Sequence, residues 1–290
     1  MWLLDIGRWT VDKKLTINDL FNSGMLRFNC IPAFHCKFTE YLINSVMLRI
    51  APLICILFVV IISCQQQHDA QSIIKKAIDV HGGVAYENKR IEFDFRTFHL
   101  VLEQQGGRFR YVRTHRDSSG TLIEEVLTNN GITRSLNGKR QVLDTAQTKK
   151  YSNAVNSVAY FVLLPHKLSD QAVLADYAGE SQIDGQKYHK VRVRFRAEGG
   201  GTDYQDTFFY WFNQQTHTMD YLAYSEGGPR FRKAINPQTV DGIRFQDYIN
   251  YKGDADDTTS IGNYDRRYEA RQLPELSRIE QKNIRVTVIP

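Results

Sequence analysis

Three arginines and four aromatic residues in the C-terminal half are the side chains whose types and spacing point to a binding role. Arg230, Arg232 and Arg244 stand beside Phe231 and Phe245 in short, strand-like segments. On neighbouring strands such guanidinium groups can converge on a carboxylate or phosphate, which the arginine fork meets with two parallel hydrogen bonds. Outward-facing strand positions account for the same arginines equally well, with Asp220 and Asp247 as available partners. Tyr210, Trp211, Tyr221 and Tyr224 join flat apolar bodies to polar tips. Amphiphile pockets are walled by such groups, although ordinary packing on a sheet face employs them too.

Catalytic and metal chemistry has less to work with. Seven histidines follow residue 64, at 68, 81, 99, 115, 166, 189 and 217, and no two share the i, i+4 spacing of a helical zinc pair. There is no Gly-x-Ser-x-Gly elbow, phosphate-binding P-loop or dinucleotide fingerprint. Gly199-Gly200-Gly201, with Asp203 and Asp206 after it, reads as a long hairpin loop, because no helix start follows to help hold an anion. Asp254, Asp256 and Asp257 lack the twelve-residue calcium-loop pattern and read as a solvated acidic loop. The expectation is a noncatalytic protein with no cofactor and no metal. A net charge of +5, with both signs interspersed, gives no basic tract for nucleic acid.

The cysteines bear on compartment. They stand at 30, 36, 55 and 64, and the 226 residues beyond Cys64 contain none. That excludes a disulfide framework, a thiolate metal site or a cysteine nucleophile from the later part of the chain, and it suits an oxidising compartment. Residues 50–63 are almost wholly apolar, shorter than the roughly 20 residues of a comfortable membrane span, and follow Met47-Leu48-Arg49. This is the make-up of a signal peptide. Ile61-Ile62-Ser63-Cys64 at its end, followed by Gln65-Gln66-Gln67, resembles a bacterial lipoprotein signal. The resemblance implies a diacylglycerol on Cys64, which becomes the mature N-terminus. The expected organisation is a gene-model extension over 1–46, a signal peptide over 47–63, a lipidated terminus and short linker over 64–68, and one β domain over 69–290.

The elements that must position the candidate side chains are mostly strands. Apolar residues at 70, 73, 74, 77 and 78 predict a helix over 69–80, with Asp69 as N-cap and His81-Gly82-Gly83 as its stop. Ile91, Phe93 and Phe95 then alternate with polar residues, and segments 107–115, 121–128, 131–136 and 139–143 follow, separated by Asn-Gly and Gly-rich turns. Helical spacing returns over 149–164 and ends at Pro165. Strands resume at about 175–183, 187–197, 206–213, 218–224, 229–235 and 242–251, and a short one occupies 284–288. The expected fold is mainly β (α+β): a strongly curved antiparallel sheet or half-open barrel of about eleven strands, with one N-terminal and one inserted helix.

Several passages resemble an uncharacterised family of bacterial lipoproteins related to the LolA/LolB lipoprotein-carrier fold. They are Ala77–Gly83, Asn156–Phe161, Tyr210–Asn213, Met219–Tyr224, Arg230–Arg232 and Gly242–Phe245. The resemblance spans about residues 69–251 and implies a half-open barrel with an apolar interior, closed by helices. It implies an envelope protein that binds a lipid or other hydrophobic small molecule. With the lipoprotein signal this gives a tether at Cys64, and Gln65, where an acidic residue would favour inner-membrane retention, gives an outer-membrane, periplasm-facing placement. A structural subunit docked on an outer-membrane protein is the second expectation, and an envelope hydrolase the third.

Overall fold

The computed structural model describes residues 69–198, 204–225, 227–253 and 258–289. Cys64, the signal segment 47–63, the upstream residues 1–46, the Gly199–Gly201 run with Asp203, and Asp254, Asp256 and Asp257 lie outside the described residues.

Helix α1 (Ala70–His81) starts where Asp69 accepts from the Gln71 and Ser72 N–H groups at 3.2 and 3.1 Å, so its carboxylate satisfies donors that no helix turn can reach. Ile73, Ile74 and Ala77 form its buried stripe. Gly82 ends it at φ 139, and a Cβ there would stand 3.2 Å from the Gly242 carbonyl oxygen and from Ile243 Cα. The residue that stops the helix therefore also lets the chain lie directly against a strand.

Two seven-stranded antiparallel sheets follow. The first contains β1 (Lys89–Phe95), β2 (Phe98–Gln105), β3 (Arg108–Arg116), β4 (Leu122–Thr128), β5 (Gly131–Leu136), β6 (Lys139–Arg140) and β14 (Gln281–Val288), in the order β14-β1-β2-β3-β4-β5-β6. The second contains β7 (Val173–Ile183), β8 (Gln186–Phe195), β9 (Phe208–Asn213), β10 (Met219–Tyr224), β11 (Arg230–Val240), β12 (Ile243–Lys252) and β13 (Glu275–Ile279), in the order β13-β12-β11-β10-β9-β8-β7. Helix α2 (Thr145–Val162) connects the sheets in sequence, and the short helix α3 (Tyr264–Glu269) lies between β12 and β13.

The architecture corrects the sequence reading in two respects. Among the described residues, fourteen strands replace about eleven and two sheets replace one, while the mainly β character and the absence of a closed barrel agree with it. Strand β2 escaped notice because Leu100, Val101 and Leu102 are all buried, which erases the alternation that marks a half-exposed strand. Strand β13 has one buried residue, Ile279, and carries no pattern of its own. The sheets meet where the chain changes partners: Ile279 pairs with Tyr248 in one sheet, Glu280 intervenes, and Gln281 pairs with Phe95 in the other. Gln281 secures the crossing by donating its N–H to Asp247 and its side-chain amide to the Gln246 carbonyl, both at 2.9 Å.

Helix α2 begins at Thr145, four residues before its expected start at 149. Asp144 accepts from the Gln147 N–H at 2.7 Å while the Gln147 side chain returns to the Asp144 N–H at 3.1 Å, a capping box that sets the boundary. The principal core lies between the sheets. It unites Phe93, Leu102 and Tyr111 of the first with Val191, Phe212 and Phe245 of the second, together with Ile74 of α1 and Val155 and Ala159 of α2. Among the described residues, no helix is long and apolar enough to cross a membrane.

Candidate functional site

Helix α2 is seated on the inner face of β3–β5 by a buried charge triad. Glu125, 1% exposed, accepts from Nε and Nη2 of Arg113 at 2.8 and 2.5 Å, and Arg134 Nε lies 3.3 Å from its second oxygen. Arg113 also donates to the Ala154 carbonyl of α2 at 3.2 Å, and the Arg134 guanidinium lies 4.3 Å over the Tyr151 ring. These contacts join strands to helix beside the apolar packing of Val155 and Ala159.

Beyond that anchor the C-terminal half of α2 buries Val155, Ala159 and Val162 in the core, while its Asn156–Phe161 side borders a cavity of about 540 Å³. That volume falls in the range of small-molecule sites, roughly 300–1,000 Å³. Phe109 and Tyr111 of β3 contribute one wall, and Phe195, Phe208, Tyr210 and Leu222 of β8–β10 the facing one. Tyr160 and Phe161 of α2 complete the enclosure. Phe195 packs edge to face against Phe208 at 5.6 Å and against Tyr160 at 5.9 Å, while Phe208 stacks with Tyr210 and Tyr224. Tyr160 donates its hydroxyl to the Lys167 carbonyl at 3.2 Å, which fixes the loop after α2.

One cation borders this apolar space. The Arg232 guanidinium lies 4.4 Å from the Phe161 ring centre and 4.8 Å from that of Tyr224, and its Nη2 donates to the Tyr224 hydroxyl at 2.5 Å. Its Nε has no hydrogen-bond partner, and no carboxylate pairs with it among the described residues. Burial pulls its pKa below the usual arginine value, the direction expected where a charge loses water. The cavity's other charged side chains, Lys167 and Asp170, lie 3.5 Å apart and offset each other.

Of the residues singled out in the sequence, Tyr210, Tyr224 and Arg232 come together here. Trp211 and Tyr221 do not: they occupy the opposite face of the second sheet, in a separate cluster with Phe231 and Tyr264. The three arginines do not converge. Arg230 donates to the Pro229 carbonyl at 2.9 Å, and Arg244 to Gln246 at 3.3 Å. Arg244 pairs in register with Thr239, seven residues along β11 from Arg232, a span of roughly 20 Å. Asp220 accepts from the Tyr188 hydroxyl and feels the charge of Arg244 without contacting it, and Asp247 accepts from Asn236 and the Gln281 N–H. Phe109, Tyr111, Phe195 and Phe208 were not singled out, being indistinguishable in sequence from any inward strand residue. Tyr160, Phe161 and Leu222 lay within family-like passages, the one signal that pointed to them.

Elsewhere on the inner face the interior is filled. His81, fully buried at the end of α1, accepts the Met219 N–H at Nε2 from 3.1 Å, and its Nδ1 is unpartnered. Burial first, and Arg244 second, hold its pKa down to about 3, so the ring is neutral. No group of three or more His, Cys, Asp or Glu side chains among the described residues is placed to hold a metal.

A family model described as a family of unknown function (DUF6503) matches residues 50–281. No curated protein matches the sequence. Among solved structures the chain is similar to a LolA superfamily protein from Nitrosomonas europaea, at 12% identity and a TM-score of 0.47 over 77% of this chain and 96% of that one. It is similar also to a DUF1329 family protein from Desulfovibrio piger, at 8% identity and a TM-score of 0.35 over 74% and 92% of the two chains. A third similar structure is the lipoprotein LppX from Mycobacterium tuberculosis, at 12% identity and a TM-score of 0.25 over 54% and 87%.

Proposed function

We propose, for a chain that belongs to the DUF6503 family of unknown function, that it is a noncatalytic binder of a hydrophobic, lipid-like molecule held in the cavity beneath α2. The observation that carries this reading is the ring-walled space of about 540 Å³ between the sheets. Such a wall returns to an apolar guest roughly 25 cal/mol for each Å² that the guest removes from water. The lining is poor in groups that could do chemistry. Ser157 donates its hydroxyl to the Asn153 carbonyl at 2.5 Å, and no histidine or cysteine joins it among the described lining residues. A nucleophile without a base makes a poor hydrolase.

The place of action follows from the N-terminal sequence. An apolar run after Met47-Leu48-Arg49, ending at Ser63-Cys64, supports export and lipidation of Cys64, with the folded part held at the outer membrane on its periplasmic side. A tethered protein of this kind accepts or retains its ligand in place and does not shuttle it. Native mass spectrometry of the protein purified gently from membranes tests both parts. The expected spectrum shows a mature chain beginning at Cys64 and bearing a diacylglycerol, plus a noncovalent adduct of lipid mass that leaves on collisional heating. A chain without adduct that also fails to take up an added long-chain amphiphile would overturn the binding reading, and an unmodified Cys64 would overturn the anchor.

A further inference from the structure

The cavity wall is not electrically neutral, and its imbalance points to the chemistry of the guest. We infer that the cavity selects an amphiphile with an anionic headgroup, its negative charge met by the Arg232 guanidinium and its tail lying against Phe109, Phe195, Phe208 and Leu222. This rests on the binding reading above and adds the class of ligand.

Three observations combine. Lys167 and Asp170 form an ion pair at 3.5 Å, so among the lining side chains Arg232 alone carries an uncompensated charge. Rings hold its flat faces, Phe161 at 4.4 Å and Tyr224 at 4.8 Å, and the Tyr224 hydroxyl occupies one of its five N–H donors. The guanidinium is thereby kept from swinging out to water, yet Nε remains without an acceptor. Arg96, the other cation that acts on it, adds to the positive potential and does not relieve it. A partly buried cation with no carboxylate partner among the described residues gains from a ligand that supplies the negative charge. A carboxylate or phosphate on a bound amphiphile does so, with the two-pronged geometry that arginine offers and lysine does not. A wholly apolar guest would leave the charge uncompensated and Nε unmet.

The test compares three straight-chain amphiphiles of equal length, a fatty acid, an alkyl phosphate and a primary alcohol, by equilibrium binding to the wild-type protein and to Arg232→Met. Met keeps much of the stem's volume and removes the charge. The wild type should bind the acid and the phosphate about ten- to a hundredfold more tightly than the alcohol, the worth of a charge-assisted hydrogen bond. In Arg232→Met this preference should vanish, so that acid, phosphate and alcohol bind with similar affinity. Arg232→Lys should restore part of the preference, since charge returns without the planar fork. The ratio of acid to phosphate affinity identifies which headgroup the site suits. Wild-type protein alone provides a second readout should Arg232→Met fold poorly: on acidification below the fatty acid's own pKa, the acid should lose its advantage and the alkyl phosphate keep it.

Equal binding of acid and alcohol by the wild type, or an unchanged preference in a folded Arg232→Met, overturns the headgroup inference and leaves the cavity reading intact. Failure of all three amphiphiles to bind the wild type overturns the cavity reading and this inference together.

Discussion

The two faces of strands β9 and β10 carry the same kind of side chain and have opposite fates. Phe208, Tyr210, Leu222 and Tyr224 point inward and border a cavity. Trp211, Tyr221 and Ala223 point outward into a buried cluster with Phe231, Tyr264 and Leu273. On the outer face α3 lies across the rings, and Trp211 meets Phe231 edge to face at 5.4 Å. A buried polar group completes that closure. Asp265, 3% exposed, accepts from Lys190 at 3.3 Å and from the Ser181 hydroxyl, and Trp211 Nε1 reaches Ser181 at 3.2 Å. Lys190 also donates to the Gly262 carbonyl at 2.8 Å, so the segment leading into α3 is bound to the sheet. Rings on a sheet become core where the chain's own elements cover them in full. They border open space where the covering element, here α2, leaves a cavity beside them.

Three changes break or sharpen that contrast. The largest effect is expected from Asp265→Ala on the outer face. It leaves Lys190, 8% exposed, without its partner, which costs about 3–5 kcal/mol and lowers the unfolding midpoint by roughly 10 °C. Amphiphile affinity of the folded fraction should be unchanged, because the lesion lies on the other side of the sheet. A thermal melt and a binding titration on one preparation check this, and an altered affinity would show that the faces are coupled.

The next effect is a pH dependence from His81, in the filled part of the inner face. Its folded pKa of about 3 lies below the unfolded value of about 6.5. Between these values the unfolded chain takes up a proton that the folded chain excludes. The associated stability is full above pH 6.5 and declines as pH falls toward 3, by a few kcal/mol in all. His81→Gln keeps an acceptor for the Met219 N–H and removes the titration, so its melting temperature should fall less steeply over that window. Parallel slopes for the two proteins would remove His81 as the cause.

The smallest change in stability, about 1–2 kcal/mol, is expected from Leu222→Trp, because Leu222 is a core residue that also borders the cavity, so part of the added bulk enters existing space. Its effect on function should be the greatest of the three: binding of every amphiphile lost at nearly native stability. Retained binding would place the guest elsewhere.

The contrast also explains which residues could be read in advance. Tyr210 and Trp211 are neighbours with the same propensities, and both serve equally well as ligand-lining candidates in sequence. Only the position of α3 over Trp211 and the cavity that α2 leaves beside Tyr210 separate them. The arginines behave in the same way. Arg232 and Arg244 look equivalent by type and by their phenylalanine neighbours, yet the register of β11 with β12 sets them seven residues apart along the sheet. Local signals fared better where the physics is local. Asp69 and Gly82 bracket α1 as expected, since capping depends on a few adjacent residues. The Asp144–Gln147 box carried an equally local signal for the start of α2 that periodicity alone overlooked.

From sequence alone came the strand-rich character, two helices with their stops, a cysteine-free later chain and a pool of aromatic and arginine candidates. All of these rest on interactions within a few residues, or on composition. The division into two sheets, the partner exchange at Glu280 and the emptiness beneath α2 were decided by tertiary structure alone. Each depends on which surfaces, far apart in the chain, cover one another. Alternation assigns a side chain to a face, but only the element that lands on that face determines whether it meets protein or open space.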